Sequence, residues 1–147
     1  MPVLVWLIRY LVSLRQRKKP QATHIVFLDT STPKPGDILM SFTLHEGNTI
    51  RLTAQGQDDN GINRDLDMSK QLDWAASSEG IVAVSPVAGT LFADLSYVGA
   101  GTVTITATGV NLAGTTVTGT IGGTTVAKPV PPATHIVVTA GPEVPIP

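Results

Sequence analysis

Gly101-Thr102-Val103-Thr104-Ile105-Thr106-Ala107-Thr108 alternates without a break. Val103, Ile105 and Ala107 fall on one side and four threonines on the other. Successive side chains of a strand point to opposite faces, so this octet predicts a half-buried strand with an apolar inner face and a hydroxyl-bearing outer one. Threonine and valine are β-branched and suit a pleated surface.

The same pattern continues in both directions. Downstream, Thr115-Thr116-Val117-Thr118-Gly119-Thr120-Ile121 predicts a partner strand, and Gly123 to Val126 extends it. Upstream, Thr49-Ile50-Arg51-Leu52-Thr53-Ala54 has period two and buries Ile50, Leu52 and Ala54. Shorter strands are expected at Thr23–Leu28, Leu72–Ala75 and Ile81–Val84, with a further one in Gly89–Leu95. Asp58-Asp59-Asn60-Gly61 predicts a tight turn of type I′, and Ser31–Asp37, with Pro33, Pro35 and Gly36, a second turn. Seven or so short strands at this spacing predict an all-β, immunoglobulin-like sandwich, with a barrel as the alternative. Trp74, Val103 and Ile105 are the expected core, Trp74 filling the space between the sheets.

Composition agrees with a folded domain. Charged residues make up 14% and apolar ones 42% of 147 residues, which excludes a disordered polyelectrolyte. There is no cysteine, hence no disulfide frame and no thiolate metal site. The net charge of −1 is unevenly spread. Residues 1–19 hold Arg9, Arg15, Arg17, Lys18 and Lys19 and no acid, whereas residues 20–147 hold the other five basic residues and all eleven acids, a net −6. A mildly acidic body argues against nucleic-acid binding through the main domain.

The two ends read differently from the body. Val3 to Val12 is almost wholly apolar and runs into Arg15-Gln16-Arg17-Lys18-Lys19 before Pro20. As a helix, Leu4, Leu7, Leu11 and Leu14 share a face, with Trp6 and Tyr10 four apart. The charge follows the apolar run, the reverse of a signal peptide, and the run is shorter than a membrane span. An arm packed against protein is expected, with a short interfacial membrane anchor as the alternative. At the other end, Ala22-Thr23-His24-Ile25-Val26 recurs as Ala133-Thr134-His135-Ile136-Val137 after the stiff linker Lys128-Pro129-Val130-Pro131-Pro132. The repeat predicts modular ancestry and a C-terminal extended strand. The organisation expected is therefore an arm over 1–20, a sandwich over 21–127, and a linker with an orphan strand over 128–147. The expected subunit contacts are Leu4, Trp6, Leu7, Tyr10, Leu11, Arg15 and Arg17 in the arm, and Thr134, Ile136 and Val138 in the strand.

Several of these segments, taken in order, resemble the bacterial immunoglobulin-like domain, group 2. They are Thr23-His24-Ile25-Val26, Gly47 to Ala54, Asp59-Asn60-Gly61, Trp74-Ala75-Ala76-Ser77-Ser78 with Ile81–Val84, and Gly99 to Thr108. The likeness covers about residues 22–126. It departs from the family in the long polar stretch Ile62–Gln71 and in the apolar arm ahead of a single module. The resemblance implies a sandwich and does not imply catalysis.

Chemistry is sparse. The acid-rich segment Asp58–Asp67 offers Asp59, Asp65 and Asp67 as a weak calcium set, but Asp58 and Asp59 are adjacent and no closing glutamate follows, so a solvated loop is the expectation. His24 and His135 occupy the same place in the repeated strand, and His45 stands alone; their spacing does not suggest zinc. No nucleophile elbow, phosphate loop or His-Glu-x-x-His occurs. The expectation is a non-enzyme without cofactor, an oligomer whose partners are protein subunits of its own or another kind. Its first expected setting is a phage virion, as a capsid decoration, cement or tail component. The alternative is a bacterial cell-surface adhesion or spacer module anchored by the arm.

Overall fold

The computed structural model describes residues 19–28, 37–132 and 134. Nine strands occur among them: β1 (His24–Leu28), β2 (Ser41–His45), β3 (Thr49–Gln57), β4 (Asn63–Arg64), β5 (Asp73–Ala76), β6 (Val82–Pro86), β7 (Phe92–Tyr97), β8 (Gly101–Val110) and β9 (Thr116–Val126). No helix is present among the described residues, so none there is long and apolar enough to cross a membrane. The expected arm contacts, Leu4 to Arg17, lie outside the described residues, as do Ile136 and Val138. Thr134 is described; it is exposed and belongs to no strand.

Two sheets form the sandwich. One has the order β1-β3-β7-β6, with β4 paired to the end of β3; the other has the order β2-β9-β8-β5. Lettered in chain order with β2 and β4 left out, these are the A-B-E-D and C-F-G sheets of an immunoglobulin sandwich, with β2 joining the second sheet beside the last strand. The chain changes sheet between β1 and β2. It does so through a bridge from Leu28 to Ile38 and a hydrogen bond from Leu39 N to Phe27 O. All ladders are antiparallel except β2–β9, which is parallel and sets Ser41 beside Gly122 and His45 beside Val126.

The core lies between the sheets. Phe27, Leu44, Leu52, Val82, Leu95 and Ile105 are its largest fully buried side chains. Val103, Ile105 and Ala107 all face inward, as the octet's alternation predicts. Trp74 is 8% exposed and meets the Phe27 ring at 5.8 Å in a tilted arrangement. Of the inward trio expected in β3, Leu52 and Ala54 are buried and Ile50 is partly buried against the core.

Two glycines on the inner face of β9 set how closely the layers pack. A Cβ at Gly119 would run into the backbone of Ile25, so β1 lies directly on β9 there. A Cβ at Gly123 would occupy the Phe42 ring, which covers that glycine from the neighbouring strand. Phe42 and Leu44 place β2 firmly in the core. This strand is additional to those expected, although Ser41-Phe42-Thr43-Leu44-His45 does alternate.

Candidate interaction surfaces

The acid-rich segment is held together by its own hydrogen bonds. Asp58 is 5% exposed, and its Oδ1 accepts from Asn60 N and Ile62 N, both at 3.0 Å. Its Oδ2 accepts from Arg64 Nε at 2.8 Å and pairs with Arg64 Nη2 at 2.7 Å. Burial pushes this carboxyl up, but the Ile62 N–H, the Arg64 side chain and charge and the Asn60 N–H together hold it below the usual carboxylate range. The turn is not of type I′. Gly61 has φ +74°, but no non-glycine residue among those described has positive φ, and type I′ needs it at both central positions. The Asp58 side chain organises the loop instead, as aspartate does in Asx turns.

The three acids of the weak calcium alternative are not gathered. Asp59 accepts from the Thr23 hydroxyl at 2.8 Å, Asp67 accepts from Ser69 N and Ser69 Oγ, and Asp65 is exposed. The two Ser69 hydrogen bonds, side chain first, hold the Asp67 carboxyl below its ordinary range. Among the described residues, no three His, Asp or Glu side chains converge as a metal would require.

The outer faces of the two sheets differ in kind. On the β3–β7 face, Arg51 and Asp94 stand opposite each other and form a two-pronged pair at 2.7 and 2.8 Å. The pair raises the Arg51 pKa and lowers that of Asp94, and the guanidinium also lies 5.7 Å from the centre of the Phe92 ring. This is an ordinary solvated sheet surface.

The β2-β9-β8-β5 face is a field of hydroxyls. Register sets Thr43, Thr124 and Thr102 in one row, and Ser41, Gly122 and Thr104 in the next. Ser77 closes that second row by donating its N–H to Thr104 O and accepting Thr104 N–H on Oγ at 3.0 Å. Then come Thr120, Thr106 and Ala75, and finally Thr118, Thr108 and Asp73. Asp73, on the edge strand, is the one charged residue in these rows. A shallow depression of about 460 Å³ opens over Gly122, where an added Cβ would meet nothing within 4 Å. The octet's alternation shows the β8 threonines facing outward. Their alignment with β9 and β2 depends on register, which the sequence does not display.

No protein-family model matches the chain, and no curated protein matches it. Solved structures do. The crystal structure of domains 4 and 5 of the S-layer protein SbsC is similar, with a TM-score of 0.50 and 15% identity over 74% of this chain and 54% of that one. The chain thus spans about half the length of that S-layer structure. A nucleoside hydrolase-related hypothetical protein from Saccharophagus degradans, associated with carbohydrate metabolism, matches with a TM-score of 0.43 and 16% identity. It covers 73% of this chain and 26% of its own. The first likeness is one of β-sandwich fold; the second carries no argument.

Proposed function

We propose that this chain is a non-catalytic structural module of an assembled surface, and that its hydroxyl face is where a neighbouring subunit packs. The observation that carries the reading is that face: rows of threonine and serine across β2, β9 and β8, with one charge on the edge strand β5. Charged side chains are depleted at the centres of protein interfaces, and covering a face without them avoids burying charge, provided the neighbour supplies hydrogen-bond partners for its hydroxyls. The resemblance to bacterial immunoglobulin-like domains of group 2 belongs to the same proposal, and the strand order supports it.

Of the two settings, the likeness to an S-layer structure favours a cell-surface spacer over a virion component. The virion reading rests on the acidic, threonine-rich body and on terminal segments that lie mostly outside the described residues. Fractionating cells that express the chain with and without residues 1–19 separates the two. Membrane association that depends on the arm selects the anchored surface module, and its absence selects the particle subunit.

The assembly reading is tested on the full chain by light scattering and electron microscopy. The native chain is expected to self-associate as concentration rises. The double variant Thr104→Lys/Thr124→Lys should keep its thermal midpoint and lose association, because it buries two uncompensated charges. A native chain that stays monomeric, or a variant that assembles equally well, overturns the proposal.

A further inference from the structure

The repeated pentapeptide has a readable purpose in its first copy. Ala22 is 1% exposed, and its carbonyl accepts from the buried Asn111 Nδ2 at 2.8 Å. Asn111 is itself fixed, because its Oδ1 accepts from Ala113 N and Thr115 N. The Ala22 methyl sits over Gly56, where an added Cβ would come within 2.9 Å of it. Thr23 donates its N–H to Gln57 O at 2.8 Å and its hydroxyl to Asp59 at 2.8 Å. The Ile25 backbone lies on Gly119. Asn111, Gly56, Asp59 and Gly119 thus form a socket that reads Ala-Thr-His-Ile at the methyl, the hydroxyl and the backbone.

Ala133-Thr134-His135-Ile136 carries every group this socket reads. It cannot reach the socket of its own chain. β9 leaves the sandwich at Val126, where Lys128 N donates to Glu46 at 2.8 Å, whereas Ala22 lies towards the opposite pole, beside Asn111. At about 3.3 Å per residue, Val126 is about 23 Å from the level of Gly119, and Ala22 is about 10 Å further on. The seven steps from Val126 to Ala133 span at most about 25 Å when fully stretched, before any turn at the pole.

We propose that residues 133–137 enter the β1 socket of a second copy of this chain, displacing its resident strand, so that copies join head to tail. Exchange of identical elements is a low-cost route to assembly, and a head-to-tail contact that does not close gives an open chain of subunits. Two mismatches set the balance. Positions 138 and 139 are valine and threonine where the resident strand has Phe27 and Leu28, and Phe27 is 2% exposed and lies against Trp74. The resident strand therefore holds its socket more tightly, and exchange is the minor state of the native chain.

This inference deepens the assembly reading but uses a different surface, so the two fail separately: the lysine pair tests the hydroxyl face, and a cysteine pair tests the socket. The native chain has no cysteine. In the full chain carrying Asp59→Cys and Thr134→Cys, mild oxidation is expected to give a ladder of disulfide-linked species on non-reducing gels. Adding Val138→Phe, which restores the aromatic that the resident strand carries as Phe27, should increase the ladder. Mapping should find residue 134 joined to residue 59 of another chain. A ladder absent with and without Val138→Phe overturns the proposal. So does a link confined within one chain, or an equal ladder when Ser78→Cys replaces Asp59→Cys.

Discussion

Trp74 shows how far one residue can be read from sequence. Its role as core filler follows from its size and the lack of any disulfide, and the fold places it against Phe27. Trp74→Ala is expected to cost about 3–5 kcal/mol in denaturant unfolding, as large aromatic truncations in cores do. Thr53 shows the limit. It reads as an outward strand residue, yet its Oγ1 is buried without a hydrogen-bond partner. Such a group costs roughly 1–3 kcal/mol, so Thr53→Val should stabilise the fold by about 1 kcal/mol, measured the same way. Asp58 was legible only as part of an acidic loop; its burial against Arg64 depends on contacts that spacing does not specify. Its carboxyl titrates lower in the folded chain than in the unfolded one. The unfolded state therefore binds more protons as pH falls from about 5 through the ordinary aspartate value of about 3.9, and stability is lost on the acid side. Asp58→Asn should flatten that acid limb of the melting-temperature profile, leaving the contributions of Asp67 and Asp94.

At the scale of elements, β8 and β9 were the easiest strands to see, because each has one apolar and one hydroxyl face over most of its length. β2 was obscured by the Pro- and Gly-containing stretch before it and by its shortness, although its alternation is intact. The glycines of β9 look alike in sequence and differ in the fold. Gly119→Ala would push a methyl into β1 and is expected to destabilise by about 1–3 kcal/mol, the usual range for overpacking. Gly122→Ala faces open space and should change stability by less than about 1 kcal/mol in either direction. Thermal melts of the two single variants compare them directly. Calcium or a chelator should leave the native midpoint unchanged, since Asp59 and Asp67 are engaged within the fold and Asp65 does not join them.

For the whole molecule, period-two patterning reached the all-β sandwich because it reports which side of each strand is buried. It does not report which strands are neighbours, so the split of β1 and β2 between two sheets and the alignment of the hydroxyl rows came only with the fold. That split has a mechanical meaning. β2 and β9 run side by side in the same direction, over Ser41–His45 and Gly122–Val126. Once β1 has come away, a pull on the chain before Ser41 and after Val126 drags the two strands past each other lengthwise. Their hydrogen bonds are then strained all at once, not unzipped one by one. A module wired this way resists being stretched from its ends, the direction in which a link in a chain of subunits is pulled.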